Sequence, residues 1–208
     1  VTKLFAELAH YEPQFAPLLE RAKQIERIDV DAYVRNVPAY LTRPAAQAVK
    51  VIPEEELAPY ARRFHPYLTL RGITLETAKR FETGYHREHK RVLFPVRDNQ
   101  NNLLGAIGRT ILPDYKPRYL EYFDFDKSKV LFGEQLVRPG GVAVIVEGII
   151  SAVVADQILR EHPSGYSVVA IMGSKISKAQ VQRVLAFASE VVLCLDNDSA
   201  GREGTKLA

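Results

Sequence analysis

The sequence predicts an α+β half followed by an α/β half whose parallel sheet is flanked by helices and which is incomplete toward its C-terminus. Three observations carry this. Between Arg91 and Arg138 the apolar pattern is that of strands, with "RVLFPVRD" and "LLGAIGRTIL" flanking the polar turn "NQNN". From Gly141 onward, apolar runs of strand length alternate with helical stretches, the mark of a parallel sheet covered by right-handed crossovers. Between the two lies "VRPGG", Val137 to Gly141, a turn-rich hinge.

Before the strands, residues 1 to about 36 read as helical, with apolar residues at three- and four-residue spacings broken by Pro13 and Pro17. Pro38, Pro44 and Pro53 argue against one continuous element in the stretch that follows. Glu54, Glu55 and Glu56 suit the first turn of a helix after Pro53, where carboxylates favour the dipole. "YARRFHPYLTLRGITLETAKRFETGYH" predicts two short helices around Gly72, with Thr74 as N-cap and a helix through Ala78 to Phe81. Gly105 and Gly108 interrupt the second hairpin strand as they would at a bulge or a close backbone approach. In the last part, "VAVIVEG", "YSVVAIMG" and "EVVLCLDND" read as buried strands. "IISAVVADQILREH" and "SKAQVQRVLAFAS" read as helices, the second capped by Ser177.

Composition excludes several classes. With 208 residues and 47% hydrophobic content the chain is globular, and it has neither an eighteen-residue apolar run nor a signal-peptide pattern, so no membrane partner is expected. The single Cys194 sits in an apolar run as a small buried residue, which excludes internal disulfides and thiolate zinc clusters. His86 and His89 alone are close together and read as a solvated pair. A start at Val1 and an end in "GREGTKLA" suggest a piece of a longer protein. The net charge is +3, but Gly84 to Arg118 holds seven basic and three acidic residues, a local +4 that leaves −1 for the rest. The middle is basic.

Two of the three last strands end in acid: Glu147 with Gly148, then Asp196 and Asp198 around Asn197. In open α/β sheets ligands bind outside the carboxyl ends of the strands. If these strands are neighbours, three carboxylates meet, a crowding of like charge that a hard divalent cation with oxygen ligands would reward. Mg²⁺ leaves positions for water and substrate phosphates, which points to phosphoryl or nucleotidyl transfer. Gly148 and Gly201 would let a metal or phosphate come close to backbone.

"VEG", "MGSKIS" and "LDNDSAGREG", each ending a strand, resemble a Toprim domain, the metal-binding module of bacterial-type primases, type IA and II topoisomerases and some nucleases. Upstream, "RVLFPVRDNQNNLLGAIGRTIL", "KPRYL" and "FDKSKVLFG" resemble, in order and spacing, the RNA polymerase domain of DnaG-type bacterial and phage replicative primases. "LRGITLETAKRFETGY" resembles that domain's helical subdomain. The resemblance divides the chain into a helical region 1–63 that resembles nothing, a basic nucleic-acid-binding subdomain 64–140, and a truncated Toprim domain 141–208.

What the resemblance implies is a DNA primase core that makes short RNA primers on a single-stranded DNA template from NTPs, with an RNA–DNA hybrid as product. It implies Mg²⁺ or Mn²⁺ as cofactor, a cytoplasmic location in a bacterial cell, and a replicative helicase reached through parts outside this chain. Glu147, Asp196 and Asp198 become the catalytic and metal residues; Arg91, Arg109, Arg118 and Lys127 become contacts to nucleic acid or nucleotide. Tyr115, Tyr119, Tyr122 and Phe123 could stack bases or pack in the core. Ser151 stands where many relatives have an acid. The alternatives are a Toprim nuclease that cleaves phosphodiesters and a non-catalytic nucleic-acid-binding module on a degenerate Toprim scaffold.

Overall fold

A computed structural model describes residues 49–60, 64–163 and 165–195. Most of the helical region expected for residues 1–63 lies outside them, as do Asp196 and Asp198.

The first half is built on short helices. Helix α1 (Glu54–Leu57) begins after Pro53 with three glutamates in its first turn, as expected. Four residues cannot hold a helix alone, and packing supplies the rest: Ile52 and Leu57 cluster with Leu103 and Phe123, and the Ile52 N–H donates to the Leu103 carbonyl at 2.7 Å. Helix α2 (Pro66–Leu70) opens with Pro66, whose missing N–H costs nothing in a first turn, and the His65 side chain accepts from the Tyr67 N–H at 3.1 Å. Helix α3 (Leu75–Arg80) is capped by Thr74, whose hydroxyl accepts from the Thr77 N–H at 3.2 Å.

Strands β1 (Gly84–His86), β2 (Arg91–Arg97), β3 (Leu103–Thr110) and β4 (Tyr119–Tyr122) form an antiparallel sheet in that order. Every residue of β2 and β3 is buried, arginines included. The bulge lies beside Gly105: Val96 pairs with Gly105 and Arg97 with Leu103, which leaves Leu104 as the extra residue, while Gly108 lies in regular pairing with Leu93. What approaches the two glycines closely is aromatic. A Cβ at Gly105 would stand 2.1 Å from the Phe125 ring, and one at Gly108 would stand 2.5 Å from the Tyr122 ring. Alanine at either site would force the ring aside, at about 1–3 kcal/mol.

In the second half, β5 (Gly141–Val146), helix α4 (Ile149–Leu159), β6 (Tyr166–Ala170), helix α5 (Lys178–Phe187) and β7 (Ala188–Cys194) form a parallel sheet of order β6-β5-β7 with its crossover helices. Ser177 caps α5 in a reciprocal capping box with Gln180. The sequence pattern carries α5 through Ser189, but the chain turns into strand at Ala188. Sheet pairing wins there: Ala188 pairs with Gly141, and the Ser189 hydroxyl donates to the Gly140 carbonyl at 2.9 Å.

Leu131, Ala143, Ile145, Val169, Ile171 and Val184 form the core of this half. Phe132 joins the two sheets. Its backbone bridges Ala170 on the β6 edge through two 3.0 Å hydrogen bonds, while its ring stacks on Phe81 at 5.4 Å and meets Phe94 of β2 edge-on at 6.2 Å. Truncating this fully buried ring would cost about 3–5 kcal/mol. A polar seam adds to it: buried Asp156 of α4 takes Arg80 of α3 at 3.0 Å, and the Gln157 amide bonds Gly72 and Thr74 backbone at 2.9 and 2.8 Å. Among the described residues, no helix is long and apolar enough to cross a membrane.

Candidate nucleic-acid and metal site

Register decides what the basic residues can do. Arg91 pairs with Thr110 and Val92 with Arg109, so by strand alternation Arg91 and Arg109 stand on opposite faces of the sheet. Their environments differ accordingly. Arg91 is 2% exposed and spends its guanidinium on backbone, donating to the carbonyls of Gly108 at 3.0 Å, Pro117 at 2.7 Å and Arg118 at 3.3 Å, with its charge over the Tyr115 ring. It therefore holds the loop that carries Arg118. Arg109 donates from Nε to the Tyr67 hydroxyl at 3.0 Å and lies over the Tyr119 ring at 4.8 Å.

Arg109 and Arg118 meet at an open pocket of about 180 Å³, lined also by Tyr67, Arg71, Thr110 and Leu112. Arg71 is a residue that the sequence alone did not single out. It caps the C-terminus of α2 and donates from Nε to the same Tyr67 hydroxyl at 3.0 Å, so one phenol oxygen holds two guanidinium groups by their stems and leaves their terminal forks unspent. Among the described residues no carboxylate pairs with Arg71, Arg109 or Arg118. Three like charges around one small pocket repel unless an anion fills it, and the guanidinium fork matches phosphate oxygens in pairs. Neither the Arg91 guanidinium nor Lys127 lines this pocket. Lys127 is half exposed and its ammonium rests on Glu121 at 2.8 Å.

Arg97 shows the contrasting arrangement. It is buried, and its fork is closed by Glu54 at 2.5 and 3.0 Å and by Glu82 at 2.6 Å. The Arg97 guanidinium in turn holds the Glu54 carboxyl below the usual range through its hydrogen bonds. Part of the basic middle of the sequence is thus neutralised within the fold.

His86, half-buried, and His89, exposed, form a pair as expected, and one hydroxyl joins them. Both Nδ1 atoms lie on the Tyr122 hydroxyl, at 3.0 and 3.1 Å, and the two rings are 3.9 Å apart. Burial and the neighbouring His89 push the His86 imidazole down. Tyr122 reaches across β3 because Gly108 leaves the space. Phe123 packs in the core cluster beside Ile52 and Leu57, whereas Tyr115 and Tyr119 are exposed over arginines.

Glu147 follows the last residue of β5. Its carbonyl accepts from the Met172 N–H at 3.0 Å, which extends the β5–β6 pairing beyond the strands and fixes the turn. Gly148 caps α4, and among the described residues a Cβ there would meet only the Ser151 hydroxyl, at 3.7 Å. The condition set by the sequence, that the acid-ending strands be neighbours, is met: β5 and β7 pair in parallel, with Val146 opposite Cys194. Asp196 and Asp198 follow two and four residues after Cys194. Among the described residues no three His, Cys, Asp or Glu side chains gather as a metal site. Burial pushes the Cys194 thiol up to about 11, so it stays a protonated packing residue.

Residues 144–208 match the family described as Toprim-like. A DNA primase of Neisseria meningitidis is 32% identical over 156 residues, which cover 70% of this chain and 25% of that protein. The Aquifex aeolicus primase structure, comprising zinc-binding and RNA polymerase domains, superposes with a TM-score of 0.60 at 21% identity over 98% of this chain and 60% of that one. A DnaG primase catalytic domain bound to single-stranded DNA gives a TM-score of 0.56 at 23% identity, covering 68% of this chain and 56% of that one. The fold is that of a primase core, an antiparallel sheet followed by a Toprim parallel sheet. The chain carries a Toprim domain of the DnaG primase type. It spans about a quarter of the length of the curated relative it matches.

Proposed function

We propose that this chain is the catalytic core of a DNA primase, joining NTPs into short RNA on a single-stranded DNA template. The observation that carries the reading is the parallel pairing of β5 with β7, whose carboxyl ends run out side by side into Glu147 and into the Asp196–Asp198 segment. An oxygen-only donor set at a strand end fits a hard divalent cation, Mg²⁺ or Mn²⁺. When bound, that ion supplies charge neutralisation at the phosphates of the incoming nucleotide. Glu147, Asp196 and Asp198 would hold it.

The chain's own groups have the remaining tasks. Glu147 is the base nearest the strand end for the proton of the attacking 3′-hydroxyl. The new bond forms between that oxygen and the α-phosphorus, the α–β phosphoanhydride breaks, and pyrophosphate leaves. Arg71, Arg109 and Arg118 bind phosphate of template or nucleotide at the open pocket, and Lys127 adds a further contact. Arg91 orients Arg118 through the loop carbonyls it holds. The relative solved with single-stranded DNA supports the choice of template. A replicative helicase partner and a bacterial cytoplasmic setting belong to the same reading.

The test is to incubate the full-length protein with single-stranded DNA, labelled NTPs and Mg²⁺ or Mn²⁺. Short RNA is the expected product. Cut DNA without RNA would make this a Toprim nuclease, and neither product would make it a binding module.

A further inference from the structure

Between the two sheets, Asp126 caps a 3₁₀ turn over Lys127–Lys129, its carboxylate accepting from the Ser128 N–H at 3.0 Å and the Ser128 hydroxyl at 2.6 Å. So short a turn leaves its own carbonyls unpaired. Four in a row, from Lys127 to Val130, are instead taken by three side chains of one helix. Gln180 donates from Nε2 to the Lys127 and Val130 carbonyls, both at 3.0 Å, Ser177 donates to the Ser128 carbonyl, and Arg183 donates from Nε to the Lys129 carbonyl at 2.6 Å. Ser177, Gln180 and Arg183 recur every third residue, along one face of α5. Arg183 is itself held by both oxygens of buried Glu134, at 2.7 and 2.8 Å.

Gln180 is 1% exposed and has a third acceptor, the Ile171 carbonyl at 2.9 Å. Ile171 precedes Met172, whose N–H is bonded to Glu147. One amide therefore ties the Lys127–Lys129 turn to the backbone that fixes the acidic strand end. The grip is on backbone alone, so the Lys127 and Lys129 side chains stay 45% and 40% exposed.

The choice of glutamine carries the information. At this position of a capping box glutamate serves equally well, since only an oxygen is needed to accept from the Ser177 N–H. The grip needs the opposite end of the amide, an NH₂ whose two protons face three carbonyls, one proton being shared. We infer that Ser177, Gln180 and Arg183 are positioning residues that set the Lys127–Lys129 turn against the Glu147 strand end, so that the lysines meet phosphate in register with the chemistry. This rests on the reading of Lys127 as a phosphate contact.

The test is a double-mutant cycle on the full-length protein, combining Gln180→Glu with Lys127→Ala and reading affinity for single-stranded DNA and for NTP alongside the melting temperature. Each single variant is expected to weaken at least one affinity about three- to tenfold, and Gln180→Glu in the Lys127→Ala background is expected to add less than about twofold. Lys127→Ala without effect would overturn the reading of Lys127, and the inference with it. If Lys127→Ala weakens binding but Gln180→Glu does not, or if the two effects multiply, the positioning role alone is overturned and Gln180 only stabilises the fold. Should Gln180→Glu fail to fold, Gln180→Met, neutral and of similar length, enters the same cycle, where the same two results overturn the same two claims.

Discussion

The two sheets handle charge in opposite ways. In the antiparallel sheet charge is inside: Arg91, Arg97 and Arg109 are all buried within β2 and β3, each with a different kind of partner. In the parallel sheet β5 and β6 hold no charged residue, and the acid stands just past the strand end at Glu147. The difference separates two kinds of functional residue. A buried arginine is part of the fold whatever else it does, so replacing it disturbs folding. A carboxylate just past a strand end lies outside both sheets, and the reading proposed above gives it to the chemistry.

The largest expected effect is at the strand ends. Asp196→Asn or Asp198→Asn should lower primer synthesis by about 100-fold or more, the scale of a lost metal ligand, while the melting temperature stays level or rises. Near-normal synthesis by either variant, in a gel assay of labelled RNA, would remove the metal assignment. Next comes the closed arginine. Glu54→Gln with Glu82→Gln leaves the buried Arg97 charge without a counter-charge, its Nη1 still donating to the Asn101 carbonyl, and should cost about 2 kcal/mol in urea unfolding, below the range for fully buried pairs because both carboxylates keep contact with water. Nucleic-acid affinity in that variant should be unchanged. A stability within error of wild type would erase the contrast between the two arginine environments.

The open pocket should behave the other way. Arg109→Ala and Arg118→Ala should each weaken phosphate binding about tenfold and flatten its salt dependence by at most about one unit of slope, with Arg118→Ala the gentler on folding because Arg118 is exposed. Unchanged slopes would make these arginines ordinary surface charge.

The smallest effect concerns the histidine knot. The unfolded His86 imidazole titrates near 6.5, and in the fold burial and His89 hold it lower. The unfolded state therefore binds the proton first, so stability is complete above pH 6.5 and declines as pH falls below it. His86→Gln should flatten that decline in melting temperatures taken across the range.

Much of this was legible in the sequence where the cause is local. Thr74 and Ser177 announce their helices because a cap needs only the next turn, and the hairpin follows from two β-rich runs and a polar turn. The acidic strand ends are visible in "VEG" and "LDND", since a parallel strand's carboxyl end is where ligands bind. The rest depends on packing between distant segments. Arg71 is one basic residue before a glycine until α2 docks Tyr67 against Arg109 of β3. Nothing near Arg97 in sequence names Glu54, forty-three residues away, as its partner. The opposite faces of Arg91 and Arg109 follow from register, which a bulge at Val96 and Arg97 shifts. Gln180 reads as half of a capping box, and its second role appears only against the Lys127–Val130 carbonyls.

The most direct measurement is a paired one on Glu147→Gln in the full-length protein: the rate of nucleotide joining in a single turnover and the melting temperature, taken side by side with wild type. The expected result is a joining rate lower by about 100-fold or more in protein that is still folded, a loss far larger than any accompanying change in melting temperature explains. A joining rate near that of wild type in the folded variant would contradict the assignment of the acidic strand ends as the seat of the reaction.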